Sequence, residues 1–132
     1  MNRTMARAQA MKLVYEWEMG GNGGEDTRFD LLGVQPGEEE SDYMEALFEG
    51  VIRNIEGIDR QIARYAHGWS IERINRVDLA ILRVAVYELA YCKLSAAATI
   101  AAALELATKY STEKSSGFIN GVLGAIARGE EL

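Results

Sequence analysis

The run Arg76-Val77-Asp78-Leu79-Ala80-Ile81-Leu82-Arg83-Val84-Ala85-Val86-Tyr87-Glu88-Leu89-Ala90-Tyr91 decides the architecture. It contains no glycine or proline. Val77, Ile81, Val84 and Leu89 mix with Leu82, Ala85 and Val86, so that the apolar surface covers more than one face. A helix apolar on more than one side must be surrounded, so this one belongs in the middle of a helical bundle. Arg83, placed inside that apolar helix, needs a carboxylate partner if buried, and Asp78 and Glu88 are the nearby candidates.

Helical spacing continues on both sides of this run, and the chain has one proline, Pro36, so the fold class is all-α. The first helix is predicted over 4–19, with Met5, Met11, Leu13, Val14 and Trp17 supplying apolar surface. Gly20-Gly21-Asn22-Gly23-Gly24 closes it, because glycine tolerates positive φ and is costly inside a helix. A short helix over 27–32 and a turn over 33–37 follow. A longer helix over 41–54 aligns Tyr43, Leu47, Phe48 and Val51, with Ser41 or Asp42 as its N-cap. Gly57 separates it from a helix over 58–66, which Gly68 ends. The last two helices are predicted over 98–110 and 115–127, the latter with Phe118, Val122 and Ile126 at i, i+4 and i+8.

A chain of 132 residues with 48% hydrophobic content suits one globular domain, and its apolar runs are too short to span a bilayer. Lys12, Glu16 and Glu18 interrupt what would be the apolar stretch of a signal peptide. Cys92 is the sole cysteine, which excludes an internal disulfide and fits a reducing cytoplasm. The net charge of −6 argues against a free-standing nucleic-acid binder. Its distribution softens that conclusion: residues 25–49 hold nine acids against Arg28 alone, a local −8, so the remainder carries +2. Contact with RNA therefore requires a local patch and a partner.

Catalytic chemistry finds no footing. His67 is the only histidine, Cys92 has no second cysteine beside it, and no glycine-rich loop follows a strand, so neither an enzyme nor a metal site nor a cofactor is expected. Arg3 and Arg7 lie four residues apart on one helix face, with Lys12 farther along; this suits phosphate binding, and equally a solvated face. Phe118, near a helix start, reads either as a core residue or as a base-stacking platform with Asn120 reading a base edge and Lys114 adding charge.

Two segments carry a resemblance. One is Gly68-Trp69-Ser70-Ile71-Glu72-Arg73-Ile74-Asn75-Arg76-Val77-Asp78, continuing through Ile81-Leu82-Arg83 and Tyr87-Glu88-Leu89; the other is Ser111-Thr112-Glu113-Lys114-Ser115 with Phe118-Ile119-Asn120-Gly121-Val122-Leu123. Together with Glu105-Leu106-Ala107 and Tyr110, in order and spacing, they resemble the NusB family of antitermination factors for bacterial ribosomal RNA operons. The resemblance runs from Arg3 to Arg128 and is weakest across the acidic segment. It implies a NusB-like bundle of about seven helices in two small helical subdomains, divided here at about 1–67 and 68–132.

The resemblance further implies pairing with NusE, a small-subunit ribosomal protein. It implies binding of single-stranded boxA RNA and a place in the RNA polymerase antitermination complex. Arg3, Arg7, Tyr110, Lys114 and Phe118 fall on positions like the family's RNA surface, to which the residue reading adds Asn120. Tyr15 and Asp78 fall on positions that face NusE. Thr4 and Met5 stand where further arginines are common, and Ser95 to Ala103 replaces the usual start of the sixth helix. There either Thr99 is the N-cap, or Ser95 caps and the alanines lengthen the helix backwards. The alternative function is a protein-interaction module, self-associating as a homodimer, with weakened RNA binding. The similar domain that precedes RNA cytosine methyltransferases implies an enzyme only with a methyltransferase domain after it, and none follows within the 132 residues.

Overall fold

In a computed structural model of the chain, residues 3–20, 39–92 and 94–129 are described. The first helix, α1, is Arg3–Glu18, followed by α2 (Glu39–Arg53), α3 (Ile55–Tyr65), α4 (Arg76–Ala90), α5 (Ala96–Tyr110) and α6 (Ser115–Arg128), with a single 3-10 turn at Ile71–Arg73 before α4. The short helix predicted over 27–32 and the turn over 33–37 lie outside the described residues. All regular structure among the described residues is helical, as the single spacing pattern required.

Helix α4 is the hub. It packs against α1, α2, α3, α5 and α6, and every residue from Asp78 to Val86 is buried. Leu79, Leu82 and Val86 are fully buried in one apolar cluster with Leu13 and Val14 of α1, Met44 and Val51 of α2, Ile58 and Ile62 of α3, and Ile119 and Leu123 of α6. Burying a side chain of this size contributes about 1.5–3 kcal/mol. The helix starts where it does because Asn75 caps it: its Oδ1 accepts from the amides of Val77 (2.8 Å) and Asp78 (3.3 Å).

Arg83 is 3% exposed, and its partners come from other helices. Its Nε and Nη2 donate to the two carboxylate oxygens of Asp59 on α3 (2.9 and 2.8 Å), and Nη1 donates to Glu18 at the end of α1 (2.7 Å). Burial works against this guanidinium charge, but the two carboxylates outweigh it and raise the Arg83 pKa. The expectation of Asp78 or Glu88 as its partner is thus corrected. Neighbours on one helix bury their own faces, whereas an inward-pointing arginine meets whatever packs opposite.

Three boundaries also differ from expectation. Helix α2 opens at Glu39, so Ser41 and Asp42 lie within it and neither is its N-cap. The break between α2 and α3 falls at Asn54, whose side chain donates to the Gly50 carbonyl (2.8 Å), leaving Gly57 inside the first turn of α3. A Cβ at Gly57 would lie 2.8 Å from the hydroxyl of the exposed Tyr91 side chain. Finally, α5 starts at Ala96 with Ser95 as N-cap, its hydroxyl accepting from the Ala98 amide (3.4 Å). Of the two readings of that segment, the backward extension by alanines is the one adopted, consistent with their high helix propensity.

Candidate nucleic-acid interface

The segment joining α5 to α6 is built around one buried carboxylate. Asp78, in the first turn of α4, accepts from the Ser111 hydroxyl at 2.5 Å on one oxygen and from the Ser115 hydroxyl at 3.0 Å on the other. The two serine oxygens lie 2.9 Å apart, and Thr112 joins through its hydroxyl (2.9 Å) and its amide (3.3 Å), both to Ser115 Oγ. Ser115 and Asp78 are 2% and 6% exposed. Four polar side chains thus pin the turn 111–115 onto α4.

This turn presents the residues expected at an RNA surface. Lys114 is exposed immediately before α6. Phe118, one helical turn on, is half-buried and meets the Trp69 ring edge-on, with centroids 6.0 Å apart and planes at 64°. Tyr110 closes α5 with two ammonium groups near its ring, Lys12 at 4.9 Å and Lys109 at 5.4 Å from its centroid. Asn120 is exposed, but two residues beyond Phe118 on a helix place it on a different face. Lys114 and Phe118, four residues apart, share a face where α6 begins, and Asn120 lies on another.

The N-terminal arginines are more engaged than their spacing implied. Arg7 Nε lies 2.8 Å from Glu88 Oε2, and the same oxygen accepts from the Tyr43 hydroxyl at 2.7 Å. Burial opposes the charge on Arg7, and its hydrogen bond and attraction to Glu88 outweigh this and raise its pKa. Arg7 thereby ties α1 to α4, and only its outer part is left for a ligand. Arg3 is exposed and stacks its guanidinium 3.9 Å from the centre of the Tyr43 ring. Between α1 and α5 runs a groove of about 320 Å³ whose walls include Thr4, Arg7, Gln9, Lys109 and Tyr110. The carboxamide oxygen of Gln9 is buried there without a hydrogen-bond partner among the described residues.

Of the two residues expected to face a protein partner, Tyr15 is half-buried against the core and Asp78 is committed to the serine hydroxyls. Ser111 and Ser115, which hold the turn, and Trp69, which stands beside Phe118, lie in the segments that carry the resemblance, but their spacing pointed to no role at the site. Serines carry no periodic signal, and the Trp69–Phe118 contact joins segments distant in the chain. Among the described residues, no group of three or more His, Cys, Asp or Glu side chains is placed to hold a metal ion, and no helix is long and apolar enough to cross a membrane.

The sequence matches the NusB family over residues 4–128. It is 38% identical to the transcription antitermination protein NusB of Thermoanaerobacter sp. (strain X514), over all of this chain and 94% of that protein. Its structure is similar to that of NusB in the crystal structure of antitermination factors NusB and NusE in complex with dsRNA. There the TM-score is 0.86 at 30% identity, covering 97% of each chain. NusB of T. maritima gives a TM-score of 0.85 at 28% identity, covering all of this chain and 94% of that one.

Proposed function

The chain belongs to the NusB family, and on that premise we propose that it acts in antitermination at ribosomal RNA operons. In this reading it pairs with NusE, binds single-stranded boxA leader RNA, and does so in the cytoplasm as part of the polymerase antitermination complex. It holds and positions, and makes or breaks no bond. The observation that carries the reading is the pinned turn 111–115, which sets Lys114 and Phe118 beside each other at the surface with the lysine-flanked Tyr110 at its start. Rings beside cations suit unpaired bases and their phosphates. The NusB–NusE complex with dsRNA supports both the partner and the ligand class.

Because Arg7 is paired with Glu88 and the net charge is −6, unaided RNA affinity is low and the partner supplies much of the phosphate contact. A titration of labelled boxA RNA, with the chain alone and premixed with NusE at two salt concentrations, tests this. The expected result is salt-sensitive binding that is far tighter in the mixture and weakened by Arg3→Ala and Lys114→Ala. Absence of RNA binding in both samples, with NusE pairing or self-association intact, would favour the protein-interaction module instead.

A further inference from the structure

Trp69 is 51% exposed, an uncommon state for so large an apolar side chain. It forms one wall of a cleft of about 390 Å³ between the 3-10 turn and the start of α6, with Arg73, Asn75, Lys114 and Phe118 among the other walls. We propose that this cleft seats one unstacked base of the bound RNA against Trp69, with Arg73 and Lys114 holding the adjoining phosphates. Trp69 and Arg73 then extend the RNA surface beyond the turn 111–115. The inference rests on the RNA-binding reading above and assigns that surface a further subsite.

Four features support a base in particular. Trp69 is half exposed and lines the cleft, which leaves indole surface there for stacking, an interaction every base can use. Arg73 and Lys114 are both exposed, and neither is in an ion pair with a described residue, so each is available to a phosphate. The one carboxylate in the walls, Asp78, is already taken by two serine hydroxyls. Asn75 spends its side-chain oxygen on the α4 cap, so its NH₂ group is left to donate into the cleft.

The cleft is also preorganised. Arg76 donates to the carbonyls of Ile71 and Ile74 and reaches Glu18 at 3.3 Å, which fixes the turn that carries Arg73. The Trp69 amide donates to the Ala66 carbonyl (2.9 Å), and Ile74 is buried beneath. Little ordering remains to be done on binding, which favours affinity. A purely apolar peptide in the cleft would gain nothing from the two cations at its rim, whereas a nucleotide matches both the ring and the charges.

The test is the titration of boxA RNA with the full chain and NusE, run on Trp69→Ala, Trp69→Phe and Arg73→Gln. Trp69→Ala is expected to weaken RNA binding by roughly 5- to 150-fold, the span of one base–aromatic stack, and Trp69→Phe by much less. Arg73→Gln should lower affinity and reduce the slope of log K against log salt by about 0.7, the loss of one single-strand phosphate contact. In a Trp17→Phe background the chain's tryptophan emission reports Trp69 alone and should be quenched by RNA added without NusE at concentrations high enough to load the chain by itself. Urea denaturation of Trp69→Ala, with affinities measured where the variant is fully folded, separates these losses from misfolding.

Tight RNA binding by the unsubstituted chain with no loss in Trp69→Ala overturns the subsite while leaving the function intact. Loss of NusE affinity in Trp69→Ala, with the RNA affinity of the chain alone unchanged, makes the cleft a protein-docking site and equally overturns it. Failure of the unsubstituted chain to bind RNA with NusE overturns the functional reading itself and this inference with it.

Discussion

Replacing Asp78 with alanine tests how the turn 111–115 is held. The carboxylate accepts two hydroxyl hydrogen bonds, at 2.5 and 3.0 Å, in a site where it is 6% exposed. After its removal Ser111, Ser115 and Thr112 still bond one another, so no hydroxyl is orphaned. The loss is then two hydrogen bonds to a charged acceptor at about 1.5 kcal/mol each, or about 3 kcal/mol in all. For a chain of this length that lowers Tm by about 9–15 °C. Ser115→Ala removes one of the two bonds to Asp78 together with the Thr112 contacts to Ser115 Oγ, and should also cost about 1–3 kcal/mol. Because the two residues share a bond, the double variant should cost less than the sum of the singles. Urea denaturation measures all three, and boxA affinity measured well below Tm should fall in step, since Lys114 and Phe118 flank Ser115. A cost for Asp78→Ala below about 1 kcal/mol, or strict additivity with Ser115→Ala, would refute the reasoning.

Other substitutions probe the core and its charges. Asp59→Asn with Glu18→Gln strands a guanidinium that is 3% exposed, and should cost about 3–5 kcal/mol. Arg83→Met leaves two carboxylates that are each 25% exposed and regain water, so it should cost clearly less; the reverse order in urea denaturation would contradict this. Gly50→Ala sets a Cβ against the Tyr87 ring, which is stacked on Tyr91, and should cost about 1–3 kcal/mol. Most of that cost should vanish in a Tyr87→Ala background. Burial, and then the hydrogen bond to Glu88, raises the Tyr43 pKa above its usual 10.0. Its contribution to stability is therefore complete below that unfolded-state value and is lost as pH rises through the folded one. Tyr43→Phe should flatten the alkaline limb of the stability profile.

What was legible in the chain follows from which signals are local. The apolar run of α4 showed its central place because residues 79–86 are apolar save Arg83, and the structure buries them all. Helix ends were legible where a glycine takes positive φ, as at Gly20 and Gly68, and illegible at Asn54, where a side-chain bond to Gly50 marks the break. The partners of charged residues were not legible. Arg3 and Arg7 share a face by spacing, but spacing does not tell that Glu88 waits opposite Arg7 or that Tyr43 lies under Arg3. The same limit hid the Trp69–Phe118 pair and the serine bonds to Asp78, which exist only once α4 and α6 are packed together. The resemblance supplied Tyr110, Lys114 and Phe118 as positions; the packing is what joins them.

Native mass spectrometry of the chain mixed with NusE and a boxA strand tests the central claim most directly. The expected species is a single complex with one copy of each component, formed at concentrations where neither protein alone retains the RNA. A homodimer of the chain that persists in the mixture and excludes the RNA would contradict it.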